Sequence, residues 1–129
     1  MNKYRVLVDS SVWIQYFKFG NIEYLDELIE NDLVCTNELI LTELGPKLIH
    51  QKRQDTWESL NSLEIIATRI NWDVIRNYHV MNLQNGINKV GIPDLIIMQQ
   101  VIEEKLTLYS FDKHFKLMRS FLNYELIQS

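Results

Sequence analysis

Short apolar runs alternate with longer stretches of helical periodicity along the whole chain. Tyr4-Arg5-Val6-Leu7-Val8 reads as a first strand. Ser10-Ser11 is placed to cap a helix beginning at Val12, and Gly20 to end it. Ile22, Leu25, Leu28 and Ile29 recur at helical spacing, with Glu23, Asp26, Glu27 and Glu30 on the other face. Leu33-Val34-Cys35 predicts a second strand. Thr36-Asn37 then offers a cap for a helix carrying Leu39, Ile40, Leu41 and Leu44, which Gly45-Pro46 should interrupt and kink. A polar step over residues 50–54 leads to a helix with Trp57 and Leu60, then to a strand at Ile65-Ile66-Ala67. Asn71 caps a long helix over residues 72–88, with Val74, Ile75, Tyr78, Met81 and Leu83 mostly inward.

Gly91-Ile92-Pro93 opens the most apolar helix of the chain, and Pro93 suits its first turn. Leu106-Thr107-Leu108-Tyr109 is a buried strand. A short helix with Phe115, Leu117 and Met118 and a last strand at Tyr124-Glu125-Leu126-Ile127 complete the pattern. Strands separated by helices predict an α/β fold, a mainly parallel sheet of about five strands with helices on both faces. In such sheets ligands bind beyond the carboxyl ends of the strands. Asp9 and Asp112 each follow a strand, so both can reach one crevice. Asp94 lies at a helix N-terminus, where the dipole favours negative charge. Glu43 lies about 60° around its helix from Ile40, at the rim of the apolar face.

Length and composition narrow the classes. A chain of 129 residues, 47% hydrophobic and 23% charged, is one domain spanning residues 1–129. It shows no internal repeat, and no apolar run long enough for a membrane span. Met1-Asn2-Lys3 leads straight into the first strand, so no signal peptide is expected. The single Cys35, set among apolar residues, reads as a buried thiol in a reducing, cytoplasmic setting. The net charge of −4 runs against a long nucleic-acid groove. Setting aside the four acids just named leaves 13 acids against 13 Lys and Arg, which allows a small phosphate footprint. Each acid also has a plainer reading. Asp9 and Asp112 could be helix caps, Asp94 a dipole charge, and Glu43 an i,i+4 partner of Lys47. His50 and His114 lie beside basic residues and could touch phosphate. Trp13, Trp57 and Trp72 read as core.

The ordered set Val8-Asp9-Ser10-Ser11-Val12-Trp13-Ile14, Glu43-Leu44, Pro93-Asp94-Leu95-Ile96 and Ser110-Phe111-Asp112-Lys113-His114-Phe115 resembles the PIN-domain ribonucleases. It resembles above all the VapC-type toxins of bacterial toxin–antitoxin pairs. The resemblance runs over almost the whole chain. It implies a divalent-metal-dependent endoribonuclease with Asp9, Glu43, Asp94 and Asp112 as catalytic and metal-binding residues. Four acids at one place repel, at about 4 kcal/mol for a pair 4 Å apart with an effective dielectric of 20. Mg²⁺ or Mn²⁺ would offset this. Asp9 and Asp94 would be principal ligands, Glu43 would position or deprotonate the attacking water, and Asp112 would complete the shell. Ser110 should hydrogen-bond a neighbouring carboxylate, and Ser10 stands with it in support. The resemblance further implies a structured RNA substrate such as tRNA or rRNA, a homodimer, and an antitoxin whose arm lies over Trp13, Tyr16 and Phe17. Ile97-Met98 and then Gln99-Gln100 depart from the small residues usual in that helix and should change its packing on the sheet.

Two other acidic-pocket folds fail on their own motifs. A receiver domain needs an Asp after its third strand and a Lys after its fifth, and a haloacid-dehalogenase-type phosphatase needs Asp-x-Asp after its first. A flap-type or maturation nuclease and a non-catalytic binding module remain as competing readings.

Overall fold

The computed structural model describes residues 4–128, so Met1-Asn2-Lys3 lies outside the described residues. The order is β1 (Val6–Val8), α1 (Ser10–Phe19), α2 (Glu23–Glu30), β2 (Val34–Thr36), α3 (Glu38–His50), α4 (Gln54–Asn61), β3 (Glu64–Ile65), α5 (Trp72–Gln84), α6 (Ile92–Glu103), β4 (Thr107–Tyr109), α7 (Lys113–Met118) and β5 (Glu125–Ile127). The five strands form one sheet in the order β3-β2-β1-β4-β5. Every pairing is parallel, with Val6 opposite Val34 on one side and opposite Thr107 on the other. The sheet is thus wholly rather than mainly parallel. Val6, Leu7 and Val8 are completely buried, as strands covered on both faces must be.

The chain winds outward from β1 through β2 to β3, then crosses back to β4 and on to β5. Right-handed crossovers therefore place the helices of the two halves on opposite faces. The winding reverses between β1 and β4. The carboxyl ends of these two strands form the switch point where α/β sheets open a crevice. No helix among the described residues is long and apolar enough to cross a membrane.

Several local expectations change. Ser10 and Ser11 do not cap α1 but begin it, and Asp9 is the N-cap residue. Pro46 does not interrupt α3, which runs on to His50 with Leu44 and Leu48 buried on either side. Gly45 has a packing role instead. A Cβ there would stand 2.7 Å from two ring atoms of Trp57, so its absence lets α4 lie against α3. The strand expected at residues 65–67 is the pair Glu64–Ile65. Helix α5 ends at Gln84 rather than near 88, and Gly86 follows with a φ of 75°. Of the tryptophans, Trp13 is core, Trp57 is half-buried against it, and Trp72 is 52% exposed at the first turn of α5. Leu83 also points outward. Trp72, Val80 and Leu83 are exposed along one side of α5, beside the side that buries Ile75 and Asn82.

Gln99 and Gln100 are buried, which a central parallel sheet tolerates only with their hydrogen bonds satisfied. Gln100 Nε2 donates to the carbonyls of Ile66 (3.3 Å) and Ala67 (3.2 Å), and its Oε1 accepts from Asn37 Nδ2 at 2.6 Å. Gln99 Oε1 accepts the Asn71 N–H, and its Nε2 donates to the Arg69 carbonyl at 2.9 Å. The two glutamines thus pin the connection from β3 to α5 onto α6.

Candidate active site

Asp9 ends β1 and its N–H donates to the carbonyl of Tyr109 at the end of β4, 2.8 Å away. As N-cap it makes no side-chain bond to α1, so its carboxylate is free to turn elsewhere. It turns to two hydroxyls. Ser11 Oγ donates to Asp9 Oδ2 at 2.7 Å and Ser110 Oγ to the same oxygen at 2.9 Å. The expected role of Ser110 is therefore met, and Ser110 Oγ also accepts the Asp112 N–H at 3.0 Å. Ser11 was read only as a helix cap. Its Oγ accepts the Phe111 N–H at 3.1 Å and so ties the two strand ends together. Its position two residues after Asp9, on the first turn of a helix, was the available signal.

Asp94 stands in the first turn of α6, behind Gly91 and the proline. Burial, then the Asp112 and Asp9 carboxylates, raise its pKa from the ordinary 3.8 to about 6, against smaller opposing effects of His114 and a Gly91 backbone hydrogen bond. Glu43 lies on the exposed rim of α3. Its pKa is raised by burial, then by Asp9 and Asp94, while a 3.5 Å bond from Ser10 Oγ works the other way. Ser10 thus supports Glu43, as Ser110 supports Asp9. Among the described residues no ion pair joins Glu43 to Lys47, so the surface-pair reading does not hold. Asp112 is the N-cap residue of α7 and also lies near Asp94. Its Oδ1 accepts the His114 N–H at 2.9 Å and lies 3.0 Å from His114 Nδ1. Oxygens of Asp94 and Asp112 and a ring nitrogen of His114 lie within 4.8 Å of one another. The N-termini of α1, α6 and α7 and the middle of α3 bring the four predicted acids near enough to interact electrostatically, while Asp94, Asp112 and His114, which the sequence offers only as a phosphate contact, form the tighter group.

A cleft of about 570 Å³ opens between α1 and α4, with Trp13, Tyr16, Phe17 and Arg53 among its walls and none of the four acids. Trp13 and Phe17 stack there at 5.6 Å between ring centroids, and Arg53 lies over Phe17. Tyr16 donates to Asp26 at 2.5 Å.

Comparison with known proteins agrees with this geometry. The family model described as PIN domain matches residues 6–120. No curated protein matches the chain. Among solved structures, the DNA-bound VapBC of Salmonella typhimurium is 12% identical, covers 98% of both chains and superposes with a TM-score of 0.76. VapBC2 of Rickettsia felis, bound to a promoter DNA fragment, is 19% identical over 96% of this chain and 98% of that one, with a TM-score of 0.74. VapC20 of Mycobacterium tuberculosis, a toxin cleaving the sarcin–ricin loop, is 13% identical over 92% and 96% of the two chains, with a TM-score of 0.60.

Proposed function

The chain belongs to the PIN-domain family, and from that premise we propose that it is a divalent-metal-dependent endoribonuclease, the toxin of a toxin–antitoxin pair acting in the cytoplasm. The observation that carries this reading is the convergence of Asp9, Glu43, Asp94 and Asp112, two of them with raised pKa values. A non-catalytic module would gain nothing from acids held together at such a cost. The donor set fits Mg²⁺ or Mn²⁺, since hard carboxylate oxygens dominate it. Such an ion, when bound, offsets the acids' charge, activates water and stabilises the developing charge on a phosphodiester.

The residues divide the remaining work. Asp9 and Asp94 would hold the ion, with Ser11 and Ser110 fixing the Asp9 carboxylate. Asp112 completes the shell. Glu43 orients the attacking water and takes its proton, a role that a raised pKa suits. The ribose 3′ oxygen leaves, and the product carries a 5′-phosphate. The sarcin–ricin loop named for VapC20 supports a structured RNA, rRNA or tRNA, as the substrate class. Purified protein with Mg²⁺ or Mn²⁺ is expected to cut total RNA to 5′-phosphate ends, and EDTA to stop it. Equal cleavage by Asp9→Asn would sink the assignment.

The VapBC complexes among the structural neighbours support a cognate antitoxin as partner. The cleft walled by Trp13, Tyr16 and Phe17 would take its arm. The outward stripe of Trp72, Val80 and Leu83 supports a homodimer, because monomers rarely expose such a patch. Light scattering at tens of micromolar should give twice the chain mass of 15.4 kDa. A Val80→Glu variant should shift toward the monomer; an unchanged mass would place the interface elsewhere.

A further inference from the structure

His114 owes its position to α7. Phe115 and Met118 are completely buried, which fixes the rotation of this short helix and leaves Lys113 outside. With that rotation set, the His114 ring comes back over its own N-cap, and only 23% of its side chain is exposed. The ring is oriented by one contact, Nδ1 to Asp112 Oδ1 at 3.0 Å. Two donor atoms 3.0 Å apart are spaced as neighbouring ligands about 2.1 Å from one octahedral ion are.

Asp94, Asp112 and His114 offer donor atoms within 4.8 Å of one another. Ligand bonds of about 2.0–2.2 Å put two donors on one ion at most about 4.4 Å apart. Small side-chain adjustments therefore bring all three onto a single ion. Oxygen donors suit hard Mg²⁺. An imidazole adds more affinity for the borderline first-row ions.

We propose that His114 is a nitrogen ligand of the cation site and sets its preference for Mn²⁺ and similar transition ions over Mg²⁺. This rests on the reading of the acid cluster as a metal centre. It gives that centre two unlike sides, all oxygen toward Asp9 and mixed nitrogen and oxygen toward α7.

Electron spin-echo spectroscopy of the full-length protein with stoichiometric Mn²⁺ is the test, since it detects nitrogen bound to the ion without reference to activity. A ¹⁴N modulation is expected. It should change to the ¹⁵N pattern when only histidine is isotopically labelled, and vanish in His114→Gln. Calorimetric titrations with MnCl₂ and MgCl₂ should show the Mn²⁺-to-Mg²⁺ affinity ratio falling about tenfold in that variant. The labelled wild type needs no substitution, so a poorly folded variant leaves the test intact. Stoichiometric Mn²⁺ binding without nitrogen modulation overturns the assignment of His114 and leaves the acid centre standing. Absence of binding by either ion overturns both.

Discussion

Asp94→Asn is expected to lose RNA cleavage by about a hundred- to a thousand-fold, yet to melt higher than the wild type when metal is removed. The two effects have one origin. Asp94 is held by α6 where burial and the Asp112 and Asp9 carboxylates disfavour its charge. Its carboxyl therefore takes up a proton at about pH 6 in the folded protein, against 3.8 ordinarily. Between those values the folded state binds more protons than the unfolded one, so stability falls as pH rises through that window and stays low above it. Asparagine removes the charge. The gain is about 1–2 kcal/mol once the screening of a partly exposed carboxyl is allowed for. It is offset by roughly 0.5 kcal/mol for the lost interaction with the α6 dipole. The net rise in melting temperature is about 2–4 °C at pH 7, shrinking to nothing near pH 4. Mn²⁺ should raise the wild-type Tm by binding only the folded state, and raise the variant's less. Thermal shift curves at both pH values, with EDTA and with Mn²⁺, read all of this. A variant that is less stable without metal and responds to metal like the wild type would make Asp94 a helix-terminus charge.

Gln100→Leu should cost more stability than any change at the acids. Leucine fills a similar volume but supplies no polar atom. The Asn37 amide would lose its acceptor, and the Ile66 and Ala67 carbonyls their shared donor, all in a buried setting. Unpaired buried groups cost about 1–3 kcal/mol each, so a total near 3 kcal/mol and a Tm lower by about 10 °C are expected. The damage should also travel. Asn37 caps α3 by accepting the Ile40 N–H at 2.8 Å, and α3 carries Glu43. Faster hydrogen exchange at Ile40 and weaker cleavage should accompany the lower Tm. A variant melting within about 2 °C of the wild type would show that the clamp carries little.

The sequence exposed what local chemistry controls. The apolar strands, the proline at the start of α6 and the three aspartates at helix N-termini could be read because each signal lies within a few residues. So could the partnership of Ser110 with a carboxylate, although Asp9 lies 101 positions away. Ser11 could not be told from a cap, because only the junction of β1 with β4 brings Phe111 to its hydroxyl. Trp72 and Leu83 looked like core because apolarity says nothing about which side of a helix meets the sheet. Gln99 and Gln100 were taken for a packing disturbance, since their partners lie across the molecule in the loop after β3 and in the cap of α3. The place of His114 beside the acids could not be read, because the burial of Phe115 and Met118 sets the turn of α7.

Strand β1 lies at the centre of the sheet, and its partner on one side is made about a hundred residues after it. Such distant pairing is slow, because chain entropy is lost before the contact repays it. During synthesis Asp9 and Glu43 emerge early, but the strand that carries Ser110 and Asp112 to them arrives near the end. On the proposed reading the nascent chain would hold only half of a cutting site and could not damage the message or the ribosome producing it. Hydrolytic capacity would then arrive only as β4 docks, leaving the α1 surface in view of the proposed inhibitor before there is anything to inhibit.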